Sequence, residues 1–157
     1  MEFQTLNLGG WVFYHDTARL NELETKHCGK WMYFFDSSDK GKQFAKACCA
    51  EIVQTGAAIA AKHTDEQVVD LMGSGVCCFY CNGDDVEAHK CIISFLLKMG
   101  MIRKTKTGKL YNISFKYDSQ TQSNKYGAEF DSNIKLNSFL NLETGEWLKT
   151  IQLNRNA

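Results

Sequence analysis

The chain reads as an α+β domain: a curved, mixed but mostly antiparallel sheet with about three helices packed on one face. Three observations lead there. Apolar residues recur with a helical period in two stretches, short aromatic and β-branched runs alternate with them, and hairpin-like turns gather toward the end of the chain. The 157 residues fit one domain, 1–157, and an apolar content of 44% with ten Phe, six Tyr and three Trp fills a core of ordinary size. Proline is absent, so Gly, Asn, Ser and Asp must punctuate the elements.

The elements follow in order. Residues 9–14, Gly-Gly-Trp-Val-Phe-Tyr, have strand composition. Asp16 to Lys26 is polar and suits at most a short helix. Residues 29–36, Gly-Lys-Trp-Met-Tyr-Phe-Phe-Asp, form a nearly continuous apolar run and predict a strand buried on both faces. Ser38 is placed as an N-cap. Phe44, Cys48 and Ile52, with Ala45, Cys49 and Val53 beside them, make the stripe of an amphipathic helix that Gly56 ends. A strand over 57–63 follows. Thr64 with Gln67 has capping-box spacing for a short helix stopping near Gly73.

Residues 76–81, Val-Cys-Cys-Phe-Tyr-Cys, predict a third clear strand. Asp84 and Asp85 then open a helix with Val86, Ile92, Phe95, Leu96 and Met99 inward, their carboxylates suiting the positive end of the helix dipole. Ile102 to Thr105, a turn, a strand over 110–117, a polar loop over 118–127 and a last hairpin over 134–153 complete the chain. The resulting order is β-β-α-β-α-β-α-β-β-β.

Composition excludes several classes. Positive and negative side chains balance at 18 each, unlike the excess cation of most nucleic-acid-binding domains. No apolar stretch approaches 18 residues, so no membrane partner is expected. Met1-Glu2-Phe3-Gln4 lacks a signal-peptide pattern, and cytoplasmic localisation is the expectation. The seven cysteines then read as small buried apolar residues rather than disulfides. Cys78 and Cys81 have C-x-x-C spacing, but no second pair exists and residues three apart on a strand face opposite sides. Cys77 and Cys81 share a face about 13 Å apart at the usual strand rise. No metal site and no cofactor are expected. His15, His27, His63 and His89 show no ligand spacing, and His89 reads as a solvated helix residue. No nucleophile elbow or nucleotide-binding glycine loop occurs.

Two features stand out. Lys62-His63-Thr64 joins a strand to a helix start, where free N–H groups can hold an anion. Lys116, Tyr117, Thr121, Lys125 and Tyr126 bring point charge and phenol groups together, a composition suited to clamping a phosphorylated ligand. The basic run 103–109 reads as a solvated hairpin with some capacity to steer a polyanion.

At these same positions the sequence resembles a bacterial family labelled as phosphothreonine lyase domain proteins. That family is related to the basophilic-leukaemia-expressed protein and, through it, to the fold of the cap-binding translation initiation factor. The resemblance is carried by Trp11-Val-Phe-Tyr14, by Gly29-Lys30-Trp31-Met32, by Lys62 after the first long helix, and by Lys116, Asp118, Thr121, Lys125 and Tyr126. It spans roughly 10–140, with 141–157 as an extra C-terminal hairpin strand. Phe115 replaces the family's tyrosine, and Asn124 its glycine. The resemblance implies a curved sheet with a concave face, with Trp11 and Trp31 as base-stacking candidates by fold analogy. It also implies β-elimination of phosphate by a lysine base.

Three functions are consistent with these readings. The leading one is a non-catalytic binding domain for a phosphorylated ligand, a nucleotide or RNA end, held by Lys62, Lys116, Tyr117, Thr121, Lys125 and Tyr126. The second is a lyase-like enzyme with Lys62 or Lys116 as base and His63 as acid. The third is a protein-binding inhibitor or adaptor, for example phage-encoded against a host defence system.

Overall fold

A computed structural model describes residues 1–119 and 134–153. The chain opens with a hairpin of β1 (Phe3–Leu8) and β2 (Trp11–Asp16). Gly9 and Gly10 form its turn with φ of 61° and 85°. Two consecutive positive φ values match the turn to the twist of its strands, and glycine adopts them without a Cβ penalty. The glycines expected within a strand are thus its turn, and the residues before them form a strand that composition alone did not reveal.

The remaining elements are β3 (Cys28–Asp36), α1 (Asp39–Gln54), β4 (Ala60–Thr64), α2 (Glu66–Met72), β5 (Ser74–Asn82), α3 (Val86–Lys98) and the two-residue β6 (Lys116–Tyr117). They build a six-stranded curled sheet in the order β1-β2-β4-β5-β3-β6. Every pairing between these strands is antiparallel, the limiting case of the mostly antiparallel sheet expected. β5 lies between β3 and β4, which therefore run parallel, and α1 supplies the long crossover such a connection needs.

Local chemistry explains the helix ends. The Ser38 hydroxyl accepts from Gly41 N at 3.0 Å at the start of α1, whose buried stripe is Ala45, Cys48, Cys49, Ile52 and Val53. For α2 the cap is Asp65, accepting from Gln67 N at 2.9 Å. Thr64 instead stays in β4, and its hydroxyl accepts from Val76 N at 3.0 Å. The Asp85 carboxylate caps α3 through Ala88 N at 3.0 Å. Asp16 to Lys26 contains only one 3-10 turn, Leu20–Glu22.

The three helices cover one face of the sheet. Trp31, Cys77, Phe79, Cys81 and Tyr14 meet Ile52, Val53, Ile92, Ile93 and Leu96 in one cluster. Phe115, Ile134, Leu136, Phe139 and Leu140 extend the same cluster. The strands expected over 110–117 and 134–153 reduce to β6, isolated bridges and a 3-10 turn at Leu136–Ser138. Their backbone groups bond across the two segments instead: Leu110 N to Leu142 O, Phe115 N to Ile134 O and Leu136 N to Ile113 O, each at 2.9 Å. Leu142, in the part read as extra, is half-buried against this core. No helix among the described residues is long and apolar enough to cross a membrane.

Candidate anion-binding face

Strand alternation decides which side chains meet on the sheet face opposite the helices. Residues directly opposite in an antiparallel ladder share a face. The register therefore aligns Phe13, Lys62, Cys78 and Met32 in one row. The next row holds Ala60, Tyr80, Lys30 and Lys116. Trp11 stands one step along β2 from Phe13 on the same side. Lys62, Lys30 and Lys116 thus occupy one surface, on three different strands.

Their surroundings differ. The Lys62 ammonium lies 3.9 Å from the centroid of the Trp11 ring and 5.6 Å from that of Phe13. No carboxylate among the described residues lies within 4.0 Å of it. Ring quadrupoles attract a cation but neutralise no charge. Lys30 and Lys116 are both buried and directly opposite each other, an arrangement that costs free energy unless compensated. Asp118 compensates it, with its carboxylate 2.6 Å from Lys30 Nζ.

Burial lowers the Lys62 pKa, as does the Lys30 charge, while Cys78 and Asp118 act in the other direction. Burial also lowers that of Lys116, again with a contribution from Lys30. Between the lysines, burial pushes the Cys78 thiol up to about 11 and raises the Tyr80 phenol, so both stay neutral near pH 7. Among the described residues the face thus joins three lysines to the rings of Trp11 and Phe13.

Other expected site residues fall elsewhere. His63 follows Lys62 and so projects from the opposite face. There its Nδ1 donates to Thr64 O at 2.9 Å, and its Nε2 accepts from the Tyr14 hydroxyl at 3.0 Å. It cannot serve as the acid partner of Lys62, which corrects that expectation. Tyr117 alternates with Lys116 in the same way. It lies opposite Gly29, with its ring 5.2 Å from that of the core residue Phe115, so it does not stand beside Lys116. Thr121, Lys125 and Tyr126 lie outside the described residues.

Trp11 is on the lysine face, whereas Trp31 is wholly buried on the helix side, so the two cannot stack on one base. His89, read as solvated, is also wholly buried. Its Nδ1 accepts from Trp31 Nε1 at 3.0 Å, and its Nε2 donates to Gly83 O at 2.9 Å. Cys28, Cys48, Cys49, Cys77, Cys78 and Cys81 are buried and reduced, and Cys91 is exposed. Among the described residues no group of three His, Cys, Asp or Glu could hold a metal ion.

The sequence reading missed Lys30 as a member of the face. Its signal was a lone charge within an otherwise apolar strand run. Fold and face together define an antiparallel α+β domain that carries clustered lysines on the sheet face opposite the helices. No protein-family model matches the chain, and no curated protein matches it.

Proposed function

We propose that the lysine-bearing face binds a phosphorylated ligand, a nucleotide or RNA end, without acting on it. The observation that carries this is Lys62, held over Trp11 without a carboxylate partner among the described residues, on the same surface as Lys30 and Lys116. A phosphate supplies the charge that the rings do not. As it draws the ammonium away, the Trp11 ring becomes available to a base.

The test is thermal shift and Trp fluorescence with nucleoside mono-, di- and triphosphates, and with 5′-phosphorylated against 5′-hydroxyl oligoribonucleotides. Phosphorylated ligands are expected to raise Tm, less so at high salt, and Lys62→Gln to weaken binding about tenfold. Absence of stabilisation by any of them at millimolar concentration removes this reading.

The lowered pKa values of Lys62 and Lys116 support a second reading, a lysine base for phosphate elimination. A phosphothreonine peptide would then lose the mass of phosphoric acid; an unchanged or merely dephosphorylated peptide rejects it.

A further inference from the structure

The edge of β3 carries a second candidate site. β6 pairs with β3 only at Gly29 and Lys30, so beyond that point the edge has no strand partner among the described residues. The Phe34 carbonyl accepts from Arg103 Nη2 at 2.7 Å, so the main-chain groups of Phe34 point outward along this edge. Alternation directs those of Met32 the same way.

A cavity of about 300 Å³ adjoins them, lined by Met32, Phe34, Met101, Tyr111 and Ile113, with Arg103 at its side. Arg103 lies 5.5 Å from the Tyr33 ring centroid, and no carboxylate among the described residues is within 4.0 Å of it. Carbonyl and ring fix the guanidinium in place while most of its N–H donors stay available.

We propose that this edge binds an extended peptide segment bearing an acidic residue. The peptide adds a short strand to β3 through Met32 and Phe34. It places one apolar side chain in the cavity and sets its carboxylate on Arg103. The main-chain groups of Met32 and the Phe34 N–H select extended backbone, the cavity selects an apolar anchor, and the Arg103 guanidinium, which has no carboxylate within 4.0 Å among the described residues, selects the acid. Proline is excluded at the pairing positions because their N–H groups must donate. Met32 borders both surfaces, but Lys62, Lys30, Lys116 and Trp11 do not line this cavity, so its failure leaves the phosphate reading untouched.

The experiment is selection of a randomised hexapeptide phage library on the full chain, followed by amide NMR with the enriched peptides. Expected are acid-bearing, proline-free peptides that shift the amides of Met32, Phe34 and Arg103. Arg103→Gln, at an exposed position, should weaken them at least about tenfold. Methylating the peptide amide nitrogens that face β3 should abolish binding without altering the protein. Failure to enrich any peptide overturns the proposal. So does equal binding to Arg103→Gln, indifference to N-methylation, or mapping of the peptides to Lys62 and Trp11.

Discussion

Acidification should destabilise this protein at a pH where its carboxylates are still ionised, and His89 is one of two reasons. Its ring is wholly buried, with centroids 4.7 Å from Phe115, 5.2 Å from Phe139 and 5.8 Å from Trp31. Nδ1 accepts from the indole N–H, which has nothing to accept with, so a proton on Nδ1 sets two donors face to face. Burial accordingly holds the His89 pKa below the usual histidine value. His63, whose Nε2 accepts from Tyr14, is shifted the same way by the same cause.

Between the lowered folded pKa and the unfolded value of about 6.5, the unfolded chain binds more protons than the folded one. Stability therefore rises with pH across that window. This contribution is complete above about pH 6.5 and is lost on descending below it, levelling only under the folded pKa. Each histidine contributes up to about 1.4 kcal/mol per pH unit, against a total stability on the order of 5–15 kcal/mol. Urea unfolding followed by Trp fluorescence from pH 5 to 8 measures the slope. His89→Gln, which has a donor and an acceptor but does not titrate, should reduce it by about half where both histidines contribute fully. A wild-type stability flat between pH 5 and 6.5, or an unchanged slope in His89→Gln, would refute the reasoning.

Other expectations are simpler to state. In Gly29→Ala, the new Cβ would lie 2.5 Å from Phe115 Cζ and 2.6 Å from the Lys116 carbonyl, so a loss of roughly 1–3 kcal/mol or more is expected in denaturant unfolding. Asp85→Ala removes the α3 cap and should cost about 1 kcal/mol, lowering Tm by about 2–4 °C. Lys30→Met removes a cation that depresses both neighbouring lysines, so NMR titration should show the Lys62 and Lys116 pKa values moving up.

Much of the architecture was legible because it is local. The Phe44–Cys48–Ile52 period and Ser38 mark α1, and the acidic start and apolar stripe mark α3. His89 was legible too, since Val86, His89, Ile92 and Leu96 fall on one stripe; residue type argued for solvent where spacing argued for the core. The Gly9-Gly10 hairpin escaped because β1 is largely exposed and lacks a strong apolar alternation. The segments over 110–117 and 134–153 read as strands from their composition. They bond to each other irregularly instead, and no local pattern encodes that pairing.

The amino-acid sequence alone determined the α+β class, the two long helices, the central strands and the separation of Cys78 from Cys77 and Cys81. All of these follow from periods of 3.6 and 2 within a single element. Only the tertiary structure decided the order β1-β2-β4-β5-β3-β6. That order places Lys30 opposite Lys116, sets Lys62 over Trp11, and sends His63, Tyr117 and Trp31 to the other face. The register between strands distant in sequence sets which charges become neighbours, and nothing within one strand specifies it.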